Sequence, residues 1–160
     1  MSIKNVLLAA AIGLTLAPAA FAADQTSLQV HVKAEIPKAD GLIVSATNGW
    51  NNFPQTLPYD PVAETLVPIT QTISIKSPSK VSAFLSDAPH LNNGTTLLPM
   101  QVRVGGVPLA AGQANKVEVA SAIEATTNIL KPVQLAAAKP AAGYEEGSYL
   151  GSVTMVFENE

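Results

Sequence analysis

Apolar and polar residues alternate with a period of two along most of this chain, a rhythm that predicts β-strands. The longest clean run sets Leu28, Val30, Val32, Ala34 and Ile36 against Gln29, His31, Lys33 and Glu35, and Pro37 ends it. Ile69, Ile73 and Ile75 alternate with Thr70, Thr72, Ser74 and Lys76, although Gln71 intrudes on the apolar side. Val81, Ala83 and Leu85 continue the pattern until Asp87-Ala88-Pro89. Met100, Val102 and Val104 run to the turn pair Gly105-Gly106, after which Val107 to Leu109 returns. Val117 with Val119, then Ile129, then Val133 with Leu135, and a last run of Tyr149, Gly151, Val153, Met155 and Phe157 bring the expectation to roughly seven to nine short strands.

Turn-forming residues separate these runs: Asn48-Gly49, Asn51-Asn52, Pro54, Pro58, Pro61, Asn92-Asn93-Gly94 and Ala141-Ala142-Gly143. Their spacing suits a sandwich rather than alternating strands and helices. Only Ala120 to Ala125 and Leu135 to Ala138 have helical composition, and both are too short or too soon interrupted to be read as helix. With no repeat and no linker, the pattern predicts a single all-β, Ig-like sandwich.

The positive mean hydropathy of +0.26 has a local source at the N-terminus. Lys4 precedes an apolar run from Val6 to Leu16, Pro18 breaks it, and Ala20-Phe21-Ala22 follows. That is the layout of a secretory signal peptide cut after Ala22. The run falls short of the roughly 20 residues that span a bilayer, and every later apolar segment is interrupted by Pro, Lys, Asp or Glu. The expected organisation is a signal peptide over 1–22, an N-terminal extension over 23–37 and a β-domain over 38–160, with no membrane span in the mature form. Cleavage would remove Lys4 and no acid, taking the formal charge from −3 to −4.

Charge and composition then narrow the function. Nine Lys and Arg face twelve Asp and Glu, with no basic cluster, so a nucleic-acid partner is not expected. There is no cysteine, and the two histidines, His31 and His90, have no carboxylate or serine at informative spacing. Thiol chemistry and common zinc sets are excluded. No phosphate loop or nucleophile motif is present, so neither a cofactor nor an enzymatic activity is expected. Asn93-Gly94-Thr95 matches a glycosylation sequon but reads better as a turn, and Glu145-Glu146 reads as a solvated pair. Trp50, Asn51, Asn52 and Tyr59 could together form a sugar-binding patch, against the simpler reading of a loop with one buried tryptophan.

The most regular amphipathic strand thus lies at the chain's N-terminal end. It is either the first strand of its own sandwich or a strand donated to a groove on a neighbouring molecule. The residues begin to resemble a family here: the major pilin subunits of the class 5, or alpha-clade, fimbriae of Gram-negative bacteria, which include colonization-factor antigens and cable pili. The resemblance is carried by Val30-His31-Val32-Lys33-Ala34-Glu35-Ile36-Pro37, by Leu57-Pro58-Tyr59-Asp60-Pro61, and by the strand from Val81 into the turn Asp87-Ala88-Pro89-His90-Leu91. It continues through Leu98-Pro99-Met100 to Pro108-Leu109 and the ending Ala142 to Phe157, in the family's order. The segment Asn48 to Pro54 matches no motif of the family.

Such a resemblance implies an incomplete Ig-like β-sandwich that lacks its last strand, with an N-terminal donor strand. A periplasmic chaperone lends a strand until an outer-membrane usher exchanges it for the extension of the next subunit. The implied partners are identical subunits in a homopolymer, the chaperone, the usher and a separate tip adhesin, and the implied location is a fimbrium on the cell surface, reached through the periplasm. Carried onto this sequence, Leu28, Val30, Val32, Ala34 and Ile36 would be the plugs of the donor strand. Tyr149, Val153, Met155 and Phe157, on a strand from about Ser148 to Phe157, would wall the groove and pair with the chaperone. The alternative from a different class is a secreted monomeric β-sandwich that binds carbohydrate.

Overall fold

The structure, a computed structural model, describes residues 41–160. The proposed donor strand therefore lies outside the described residues. Within them, eleven strands and one α-helix form in order, with two short 3-10 segments at Thr47–Asn52 and Gln113–Asn115. They are β1 (Ile43–Ala46), β2 (Tyr59–Asp60), β3 (Thr65–Leu66), β4 (Ile69–Lys76), β5 (Val81–Leu85), β6 (His90–Asn92), β7 (Leu97–Val104), β8 (Val107–Pro108), β9 (Val117–Ala120), α1 (Ala122–Thr126), β10 (Ile129–Ala137) and β11 (Met155–Asn159). A six-stranded sheet runs β1-β4-β10-β7-β6 with β8 appended to β7, and a three-stranded sheet runs β11-β5-β9. All these pairings are antiparallel. The sandwich expected from the sequence is the fold observed.

Alternation puts the core between the two sheets. Ile73 and Ile75 of β4, Val102 and Val104 of β7, and Val133 and Leu135 of β10 form one cluster with Val81, Ala83 and Leu85 of β5 and Val119 of β9. Gln71, the polar residue on the apolar face of β4, is satisfied locally: its Nε2 donates to Gln55 Oε1 at 2.7 Å. Pro132 sits inside β10, where a missing N–H would ordinarily break a ladder. Its carbonyl accepts from Gly105 N at 2.8 Å, so the donorless nitrogen sits where β10 meets the β7–β8 turn.

One expectation about helix needs correction. The stretch from Ala120 holds a short helix after all, because Ser121 and Glu124 form a reciprocal capping box and Ala125 is fully buried in the core. Leu135 to Ala138, as expected, is not helix: it belongs largely to β10, where Leu135 pairs with Val102 and Ile69.

The last strand is also shorter than the alternation predicts, beginning at Met155 rather than near Ser148. Before it, Leu150 pairs with Asn92 through mutual backbone bonds of 2.8 and 2.9 Å. The chain then crosses from the edge of the six-stranded sheet at β6 to the other sheet, where Ser86 N donates to Thr154 O at 3.0 Å. Glycine is required at the crossing: a Cβ on Gly151 would lie 2.2 Å from the His90 carbonyl oxygen and 3.0 Å from Leu91 Cδ2. Gly151→Ala should therefore cost about 1–3 kcal/mol, read by urea unfolding beside the exposed control Ser152→Ala. Equal stability of the two variants would contradict this packing.

Candidate functional site

The candidate site is the margin of the core along β11. Among the described residues, β11 pairs only with β5 and β1 only with β4, so each is the end strand of its sheet. Burial follows from that position. Every residue of β5, which has a neighbour on both sides, is buried, whereas Met155 and Phe157 of β11 are half-buried against the same core. Val153, ahead of β11, and Leu42 and Val44, at β1, are likewise packed on the core but incompletely covered. An end strand also leaves one row of its N–H and C=O groups available to another strand.

One end of this margin opens into an apolar cavity of about 300 Å³. Trp50, Leu57, Met100, Leu135, Val153 and Met155 line it, so it is bounded by both sheets and by the segment after β1. That segment, Thr47–Asn52, is a pair of 3-10 turns broken at Asn48 and Gly49, both of positive φ. It is held in place by polar bonds: Trp50 Nε1 donates to Thr72 O at 2.8 Å, and Gln55 Nε2 donates to Trp50 O at 2.8 Å. Gln71 completes the chain through Gln55.

The opposite end of β11 is charged. Glu160 binds Lys80 at 2.7 Å and also pairs with Lys116. Lys116 further reaches Glu158 at 3.4 Å, to which Gln113 Nε2 donates at 2.9 Å. Residues just before β5 and β9 thus clamp the end of β11. Hydrogen bonds from Lys116 and Lys80 lower the Glu160 carboxyl from 4.5 to about 2, and the same contacts raise both lysines above 10.5. Glu124 is also lowered to about 2, first by the backbone N–H of Ser121 and then by Lys131.

The structure sorts the sequence-predicted residues. Val153, Met155 and Phe157 come together on the core margin, while Tyr149 stands apart, its hydroxyl donating to the Glu145 carbonyl at 3.1 Å. Tyr149 lines a second cavity with Tyr59, so Tyr59 is separated from Trp50 and Asn51, which line the first. The four residues of the sugar-binding reading do not form one patch. Asn93-Gly94-Thr95 is a turn in which Asn93 Oδ1 accepts from Thr95 N and Thr96 N. Glu145 is not simply solvated, because it accepts from Thr96 Oγ1 at 2.5 Å. His90 is exposed, with Nδ1 3.4 Å from the Ala88 carbonyl. Among the described residues no three His, Asp or Glu side chains gather as a metal site, and no helix is long and apolar enough to cross a membrane. The charged clamp is not readable in the sequence because its members lie in different strands and loops.

The sequence model of one family, CS1 type fimbrial major subunit, matches residues 26–158. In fold the chain is similar to the CooA pilin subunit from enterotoxigenic Escherichia coli, with a TM-score of 0.56 at 15% identity over 74% of this chain and 86% of that one. No curated protein matches the chain by sequence.

The clamp has a definite pH signature. A carboxylate whose folded pKa lies below its unfolded value stabilises fully above the unfolded value and loses that contribution as pH falls through the folded one. Lysines raised by their partners stabilise fully below 10.5 and lose the effect as pH rises through their folded values. The melting-temperature advantage of the parent over Glu160→Gln should be constant between these limits and fade from about pH 4.5 down to about pH 2. An advantage undiminished below that range would contradict the assignment.

Proposed function

The chain belongs to the CS1 type fimbrial major subunit family, and from that premise we propose that it builds its fibre by passing its N-terminal strand into the open margin of the next copy. Family and fold make it a structural pilus subunit of a surface fimbrium, one that assembles into fibres. The step proposed beyond that is how one copy joins the next.

The observation that carries the proposal is the half-buried wall of Met155 and Phe157 on a strand with one paired edge among the described residues, with Val153 packed on the core just ahead of it. Strand addition at such an edge satisfies backbone groups and places alternate side chains into the apolar interior. The run Leu28, Val30, Val32, Ala34 and Ile36 has that alternation. Burying its four larger aliphatic side chains at roughly 1.5–3 kcal/mol each contributes about 6–12 kcal/mol before ordering costs, comparable with the stability of a whole domain. In this reading residues 1–22 are removed on export and 23–37 form the extension of the domain at 38–160. Before exchange, a periplasmic chaperone occupies the same margin. An outer-membrane usher performs the exchange, and a separate tip adhesin caps the fibre. The role is structural, without enzymatic activity or cofactor.

Replacing Val32 with Asp would put a charge at the centre of the buried face and should abolish fibres in negative-stain micrographs while monomer is still exported. Normal fibres from that variant would refute the strand assignment. Moving residues 24–37 from the N-terminus to the C-terminus through a flexible linker should give a monomer whose melting temperature is well above that of the chain lacking them. No gain would count against the groove.

A further inference from the structure

All three tyrosines of the chain, Tyr59, Tyr144 and Tyr149, meet at one surface cleft. It lies between the β2–β3 hairpin and the segment 144–149, remote in sequence from each other, and encloses about 530 Å³. Leu66 forms part of the wall, and Glu145, Glu146 and Gly147 complete it. The rings of Tyr59 and Tyr144 stand edge to face, 6.1 Å between centroids and 89° apart. Tyr59 keeps 52% of its surface exposed. The far side is held in place: Glu145 accepts from Thr96 Oγ1 at 2.5 Å and Thr95 Oγ1 at 3.3 Å, and its carbonyl accepts from Tyr149. Leu66 N approaches the Tyr144 hydroxyl at 3.4 Å.

Among the described residues neither Lys nor Arg lines this cleft, and Glu146 has no hydrogen-bond or ion-pair partner. The faces of aromatic rings carry partial negative charge and attract cations within about 6 Å, and the two carboxylates act with the same sign. A neutral sugar would gain stacking and hydroxyl bonds here, but an organic cation gains from the rings and the carboxylates together. Anionic ligands are repelled.

We propose that this cleft is a binding site for an organic ammonium group, supplied either by a choline-type headgroup or by a lysine side chain. It is distinct from the cavity at the strand-exchange margin, since among the described residues the two share no lining residue.

Saturation-transfer NMR on the intact chain, which tolerates monomers and fibres alike, tests this with three probes. Choline should bind with an affinity in the millimolar range, as should N-acetyl-lysine methylamide if the natural source is a side chain, and the stronger of the two identifies the source. The neutral carbon isostere of choline, 3,3-dimethylbutan-1-ol, should bind at least fivefold more weakly. Glu146→Gln, a change at an exposed position, should weaken the cation at least threefold, and Tyr144→Leu should abolish the signal. Equal binding of choline and its neutral isostere, an unchanged affinity in Glu146→Gln, transfer to methyl galactoside in place of the cations, or no transfer to either cation would each overturn the proposal.

Discussion

The structure depends on how the apolar core is covered along the end strand β11. A strand with a partner on one side satisfies half of its backbone groups and shields its inward side chains from one flank only. The contrast lies within a single sheet: β5 is buried along its whole length, and β11, hydrogen-bonded to it residue for residue from Met155 to Asn159, is not. Nothing in the chemistry of Met155 or Phe157 accounts for that difference. Position in the sheet does.

The remaining features hold that margin in shape without filling it. A chain without cysteine has no covalent staple to fix a terminal strand. Polar contacts take that part at both ends: the lysine and glutamate cluster at the C-terminal end of β11, and the glutamine pair with the Trp50 indole at the other. Exposed ion pairs contribute little individually. Here two lysines converge on one carboxylate and join three strands, so their effect is chiefly on where β11 can lie.

The sandwich was legible because one inner face per strand imposes strict alternation, and Ile73, Ile75, Val81, Ala83, Leu85, Val102, Val104 and Val133 all obey it. Misreadings arose where alternation has a different cause. Tyr149, Gly151, Val153, Met155 and Phe157 are in phase, yet Tyr149 precedes the sheet crossing at which Gly151 meets the His90 carbonyl. Periodicity does not record which sheet a residue faces. The short helix was written in Ser121 and Glu124, a capping box outweighed by the brevity of the segment. Of the site, the wall residues were readable as an apolar face, but the clamp and the tyrosine cleft were not, because each joins residues far apart in sequence.

The proposed exchange also needs a register, and the donor sequence supplies one. Along Leu28 to Ile36 the intervening residues are Gln29, His31, Lys33 and Glu35. A slip of one residue would turn all of them inward and expose every aliphatic plug. Burying Lys33 and Glu35 without partners costs several kcal/mol each, while the aliphatic contribution is lost at the same time, so odd registers are excluded by energy rather than by shape. Slips of two keep the alternation and are penalised differently. They carry the strand's flanking residues beyond the apolar margin, toward the charged cluster of Lys80, Lys116 and Glu160 at one end or past the Trp50 cavity at the other. A groove apolar at one end and charged at the other thereby distinguishes positions along its length that a uniformly apolar groove would leave equivalent.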